Sequence, residues 1–279
     1  MSILISNSAN AAHYLKQNQQ QLQQSLKRLS SGKKIIGGAE DPGGLAVSMK
    51  INASIKRLAG AENNVQNGIS FLEVQDGLLE TVGNIVTRIS ELKGLASDDP
   101  LKSSTDKESY QAEYEELVGQ LDSIKSMTFN AVTLFADKDT SDKADILSIS
   151  IDDSGTNTVA VSLANLGHED MDAVFYDPSD DSNILSLEND VTVGEINDAL
   201  NHVAKLRGGN GSAQSRMQFT AQSLSLQKNN MTAALSRIED IDLAEETANL
   251  AKHSIMTQAS AAMVAQANSQ NDIALMLLS

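Results

Sequence analysis

MTAALSRIEDIDLAEETANLAKHSIMTQASAAMVAQANSQNDIALMLL, residues 231–278, decides how the rest of the chain is read. Ala234, Ile241, Ala248, Ile255 and Ala262 recur every seven residues, with Ala244, Ala251 and Ala265 beside that line. A step of seven keeps residues on one stripe of a helix. Neither Pro nor Gly interrupts the stretch. The spacing therefore predicts a single helix, about 70 Å long at the usual rise per residue. Most of the stripe is Ala, and each Ala removes little apolar area from water. Such a helix needs a partner, and the other end of the chain offers one. Ser8, Leu15, Leu22 and Leu29 also step by seven, flanked by Ala12 and Leu26 in a Gln-rich background. That helix is predicted to stop at Ser30-Ser31-Gly32, where Gly supplies a C-terminal signal.

Between the two ends, Gly37 to Gly44 is the stretch richest in helix breakers and reads as a loop. From Leu45 to Ser97 the helical period returns, with Leu58, Val65, Leu72, Leu79 and Val86 on one line. Gly60, Gly68, Gly77 and Gly83 each weaken this helix by about 1 kcal/mol relative to Ala, so packing must sustain it. Asp98-Asp99-Pro100 is predicted to end it. Thr105-Asp-Lys-Glu108 has capping-box spacing and is predicted to open a third helix, with Tyr110, Tyr114, Leu117, Leu121 and Ile124 on its apolar face. Between Ile146 and Leu163 the period becomes two, and the turn-forming stretch Asp152 to Asn157 joins two alternating runs into a β-hairpin. The acidic stretch Ala164 to Asn189 reads as exposed loop. Thr192-Val-Gly-Glu195 is a second capping box, opening a helix to about Arg207. Gly208-Gly209-Asn210-Gly211 is predicted to break the chain before the helical pattern resumes at Ser212.

The predicted fold is mainly α: an elongated antiparallel helical bundle or coiled coil with a small β-hairpin in its central part. The predicted division is an N-terminal helix over 1–36, a helical domain entering over 37–136, its acidic hairpin part over 137–192, its return over 193–230 and a C-terminal helix over 231–279. Aromatics make up only 3% of the chain, which argues against a thick globular core. With no Cys, disulfides and thiolate metal sites are excluded. The net charge is −16, and between Asp137 and Asp198 sixteen acids face two Lys. That balance repels nucleic acid and anionic lipid. No run reaches membrane-span length, and the start lacks the n-region and h-region of a signal peptide. His13, His168, His202 and His253 show no metal-ligand spacing. No nucleophile elbow, phosphate loop or complete calcium loop occurs. The chain reads as a non-enzyme without cofactor.

At Arg28-Leu29-Ser30-Ser31-Gly32 a signature emerges that resembles bacterial flagellin. The resemblance continues through Ala39 to Ala46, Asn64 to Ser70, Arg88 to Leu92 and Phe129-Asn130. Towards the C-terminus it includes Ala213 to Met217, Ala262 to Asn268 and Leu275 to Leu278. Ala131 stands where the family usually has Gly, and Glu40 to Gly44 departs from the family's Asp-Asp-Ala-Ala-Gly. The resemblance implies a subunit that polymerises into the flagellar filament, its end helices forming the filament core. The assembly seam read here is Leu15, Leu22, Leu29, Ala234, Ile241, Ala248, Ile255, Ala262, Leu275 and Leu278. The implied partners are further copies of the chain, a flagellar export chaperone, the filament cap and hook-associated proteins. The implied location is outside the cell, reached by type III export without a cleaved signal peptide. A hook–filament junction protein and a non-flagellar coiled-coil scaffold are the alternative readings. The resemblance also implies a contact at Arg88 and Leu92, with a neighbouring subunit or an innate immune receptor of animals. The acid that should accompany this pair is expected near Gly119 or Gln120, and neither is acidic.

Overall fold

The structure, a computed structural model, describes residues 2–97, 103–136, 146–152, 154–177 and 180–276. Asp98-Asp99-Pro100, Asp153 and Leu278 therefore lie outside the described residues. The chain divides into two compact units, Met1–Ile55 with Asn229–Ser279, and Lys56–Lys228. The terminal unit thus takes in more of the chain than 1–36 and 231–279.

In the terminal unit, α1 (Ser2–Ser31) ends where Gly32 adopts φ +67° and its N–H returns to the Arg28 carbonyl at 2.8 Å. That left-handed turn is why Gly stands there. The next helix, α2 (Pro42–Ala96), has Pro in its first turn, where a missing N–H costs nothing. The Asp41 carboxylate caps it, accepting from the Gly44 N–H at 2.8 Å. A Cβ at Gly44 would run into that carboxylate and into Ile35 Cδ1. Glu40 gathers the loop from the other side: the Ile36 N–H and the Gln24 and Arg28 side chains all donate to it. The Ile36 N–H is the largest of the influences that hold its carboxyl below the usual range.

The stretch from Met231 is not one helix. Helix α5 (Val193–Glu239) ends, and α6 (Leu243–Met276) starts after a break at 240–242. Two causes are visible. Asp242 Oδ1 accepts from the N–H groups of Ala244 at 2.8 Å and Glu245 at 3.2 Å, an N-cap for α6. The backbone before it is drawn across to the turn after α1. Lys33 bridges Asp240, the Ile241 N–H reaches the Gly32 carbonyl at 3.2 Å, and Lys33 Nζ meets Glu239 at 2.8 Å. Asp followed three residues later by Glu was the available sequence signal.

In the inner unit the line read from sequence is the core. Leu58, Val65, Leu72, Leu79 and Val86 are all buried on α2. They are joined by Tyr114, Val118, Leu121 and Ile124 of α3 (Ser104–Lys125), and by Ile196, Val203 and Met217 of α5. The cap of α3 lies earlier than Thr105–Glu108. Ser103 Oγ accepts from the Asp106 N–H, and Asp106 reaches back to the Ser103 N–H at 3.1 Å. Short ladders follow: β1 (Thr128–Phe129) against β2 (Val132–Thr133), and β3 (Phe135–Ala136) parallel to β6 (Ala164–Asn165). The predicted hairpin is β4 (Ile146–Ser150) with β5 (Thr158–Ser162), antiparallel and with Ile149, Val159 and Val161 turned inward. Its turn is drawn together by Asp152, whose Oδ2 accepts from Ser154, Thr156 and Asn157. Those bonds, Ser154 foremost, pull its carboxyl down to about 2. At Gly68, where a Cβ would collide with Ile149 Cδ1, the hairpin presses on α2.

Two expectations are corrected here. Ala164 to Asn189 is not an exposed loop. It holds β6, α4 (Glu169–Phe175), β7 (Tyr176–Asp177) and β8 (Asp180–Ile184), and Leu166, Met171, Val174, Phe175 and Leu187 are buried. These apolar residues, spread between acids without a clean period, decide the outcome. The chain also does not break at Gly208 to Gly211, because α5 runs straight through. Asn210 is buried there, donating to the Leu72 carbonyl at 3.1 Å and to Gln75 Oε1 at 2.9 Å. Gln75 in turn donates to the Leu134 carbonyl, so packing overrides weak local propensity.

A Cβ at Gly208 or Gly211 would meet nothing within 4 Å. Gly208→Ala and Gly211→Ala are therefore expected to stabilise the chain by about 0.5–1 kcal/mol each, read as a higher thermal midpoint. A lowered midpoint would mean that the glycines are needed as a bend. Asp242→Ala should cost about 1 kcal/mol at the start of α6. Amide exchange in its first turn should then quicken about fivefold, and unchanged exchange would remove Asp242 as the cap.

Candidate functional site at the terminal helices

Helices α1 and α6 pack against each other, and Asn18 meeting Ser260 while Lys33 meets Asp240 makes the pair antiparallel. The burial pattern reveals a heptad seam. On α1 the covered positions include Ala11, Leu15, Asn18, Leu22, Ser25 and Leu29, alternating steps of four and three, with Gln21, Gln24 and Arg28 partly covered beside them. On α6 they include Glu246, Leu250, His253, Thr257, Ser260, Val264 and Ala267, with the same alternation, and Asn249 and Ser254 flank them. This is the 3.5-residue period of a coiled coil. Leu15, Leu22 and Leu29 thus sit in the seam, half-buried against α6.

The α6 residues read as an apolar stripe lie elsewhere. Relative to the seam, Ala248, Ile255 and Ala262 occupy the back of the helix and are exposed, Ile255 by 66%. Met263, at 55%, Met256 and the exposed Ala244, Ala251 and Ala265 widen that apolar back. Ile241 is half-buried in the break between helices, so the line from Ala234 does not continue in phase into α6. Ala234 itself is half-buried on α5. The side chain of Leu275, like all of Leu278, lies outside the described residues.

The usual amphipathic order is therefore reversed on α6. Its covered face carries Glu246, His253, Thr257 and Ser260, of which Glu246 is 8% and Ser260 2% exposed. Asn18 Nδ2 donates to Ser260 Oγ at 2.6 Å and to the Met256 carbonyl at 3.4 Å. Glu246 Oε1 and His253 Nδ1 are buried without a hydrogen-bond partner. Each such group costs about 1–3 kcal/mol of the pairing energy. The sequence showed this face only as a phase: polar residues at seam positions carry no apolar signal.

Charge is also partitioned. The terminal unit holds eight basic and eight acidic residues, whereas the inner unit holds thirteen and twenty-nine. No helix among the described residues is long and apolar enough to cross a membrane.

In the inner unit, Arg88 Nε donates to Glu113 Oε1 at 2.7 Å and Nη1 to Glu91 at 2.8 Å. The acid beside Arg88 is thus Glu113 of α3, not a residue near Gly119 or Gln120. Arg88 holds the Glu113 carboxyl below the usual range. Leu92 is buried in the core and presents no surface. His168 and His202, far apart in sequence, stack with ring centroids 4.5 Å apart, and His202 Nε2 bonds the Asn165 carbonyl at 2.8 Å.

The bacterial flagellin N-terminal helical region matches residues 4–140, and the bacterial flagellin C-terminal helical region matches residues 193–278. The chain is 31% identical to the flagellin of Bacillus subtilis over 295 residues, covering 96% of each chain. It is 32% identical over 275 residues to the flagellin of Halalkalibacterium halodurans, covering 96% of each. It is 32% identical over 270 residues to the flagellar filament 30.7 kDa core protein of Treponema maltophilum, covering 94% of each.

Proposed function

The chain belongs to the bacterial flagellin family and is a structural subunit of the flagellar filament, and on that premise we propose that the apolar back of α6 is the surface by which copies join. The observation that carries this reading is the reversed polarity of α6: Ile255 and Met263 face out while Glu246 and Ser260 face in. An exposed apolar stripe on a single molecule marks a surface awaiting a neighbour. Ala248, Ile255 and Ala262 make that contact, while Leu15, Leu22 and Leu29 close the pair from within. Ala234, Ile241, Leu275 and Leu278 are assigned to the same assembly region from sequence. The contact is head-to-tail and does not close on itself, which yields a helical filament.

The lone subunit holds its end helices weakly. Their seam is thin and partly polar, and isolated helices gain little stability from propensity alone. They complete their order between neighbours. Before export the same apolar back needs cover in the cell, which supports a dedicated export chaperone on the C-terminal helix. A cap at the growing tip and hook-associated proteins complete the partner set. The filament lies outside the cell, and the subunit reaches it by the flagellar export route. The role is structural, with no catalysis and no cofactor. The acidity of the inner unit disfavours nucleic acid and anionic membranes as partners.

Purified chain added to filament seeds should elongate them. Ile255→Asp, Leu15→Asp or removal of the last five residues from Leu275 should abolish elongation while the circular-dichroism helix signal of the inner unit persists. Normal growth of the variants would remove the terminal helices from the assembly surface. At Arg88 a receptor would meet only the guanidinium with Glu113 and Glu91. Receptor activation by purified monomer should therefore fall with Arg88→Ala and be untouched by Leu92→Met, and equal activation by Arg88→Ala and the parent would dismiss the contact.

A further inference from the structure

We infer that the Asn18–Ser260 pair decides which face of α6 the chain keeps for itself, and so which face it leaves for other copies; this rests on the assembly reading above. The physical problem is one of competing faces. Leu15, Leu22 and Leu29 form an apolar line on α1. The apolar residues of α6 that would best cover that line are Ile255, Met256 and Met263, yet these are exposed. The hydrophobic effect is non-directional and favours rolling α6 to bury them. In the observed phase the leucines instead meet a face carrying Leu250, Thr257 and Val264, interleaved with Glu246, His253 and Ser260.

Two features oppose the roll. One is the bridge between the turn after α1 and the break before α6. It pins the ends lengthwise, but the non-helical residues 240–242 leave α6 able to turn about its own axis. The other lies twenty residues beyond Asp240 along the chain, where Asn18 Nδ2 reaches Ser260 Oγ at 2.6 Å. Both residues are buried, Asn18 to 8% exposure. Rolling α6 would leave the Asn18 amide covered by apolar side chains with no acceptor, and a buried polar group without its partner is costly. A single buried Asn in a coiled-coil seam is known to fix the arrangement of its helices at the expense of stability. Asn18 and Ser260 are in this sense positioning residues: they bond each other within one chain and turn the joining surface outward.

The cysteine-free chain allows a direct test by disulfide trapping. Leu22→Cys with Thr257→Cys reports the observed phase, and Leu22→Cys with Ile255→Cys reports the rolled one. In soluble full-length chain the first pair should cross-link in preference to the second. Asn18→Leu should cut that preference about tenfold, the equivalent of one buried hydrogen bond. The same substitution should slow seed elongation without lowering the thermal midpoint, a split that simple loss of stability would not produce. The reciprocal exchange, Asn18→Ser with Ser260→Asn, should restore both. A preference unchanged by Asn18→Leu, or no preference in the parent chain, overturns the inference. A preference that shifts as expected while seeds grow normally would uphold the phase lock and fault the assembly reading instead.

Discussion

One constraint runs through the terminal unit: α6 must satisfy two neighbours with one circumference. Its inner face meets α1 of its own chain, and its outer face is the one proposed to meet further copies. A helix obeying ordinary amphipathic patterning would spend its apolar residues on the inner face. Here the small and polar residues, Thr257, Ser260 and Ala267, go inward, and Ile255 and Met263 go outward. The intrachain pair is weakened by this choice. A strong intrachain pair would satisfy itself and leave nothing to drive polymerisation.

The inner unit follows the opposite logic. Leu58, Val65, Leu72, Leu79 and Val86 are buried almost completely. Each such side chain removed from water contributes about 1.5–3 kcal/mol. Polar links tie its elements together as well. Asn210 bonds the Leu72 carbonyl and Gln75, Tyr114 the Val174 carbonyl at 2.6 Å, and Lys93 the Leu187 carbonyl at 2.8 Å.

The sequence made most of this legible where one period dominates. The seven-residue line of α2, the alternation of β4 and β5, and the capping box at Thr192 all appear where they were read. It misled where a local signal met a tertiary contact. Gly208 to Gly211 has breaker composition, but Asn210 is tied to α2 and the helix passes through. Leu166, Met171 and Phe175 lie among acids without a repeat, so their burial left no pattern to find. Ala248, Ile255 and Ala262 share one exposed face of α6. Its direction was not readable, because a heptad line looks the same whether its neighbour is the same chain or another. Asn18, Ser25 and Ser260 mark the true seam, and polar side chains are invisible to a search for hydrophobic periodicity. The partner of Arg88 was likewise missed because Glu113 reaches it only through the packing of α3 on α2.

The uneven charge carries a consequence for the polymer as a material. The residues of the terminal unit sum to neutrality, so it adds no net-charge repulsion between copies. Every copy nevertheless brings the whole −16 of its inner unit into the growing assembly. A filament of such copies is a polyanion whose counterion cloud must thicken with each addition. At physiological ionic strength that cloud confines the repulsion to about 8 Å. The surrounding electrolyte is thereby a silent component of the filament, neutralising what the protein leaves unbalanced.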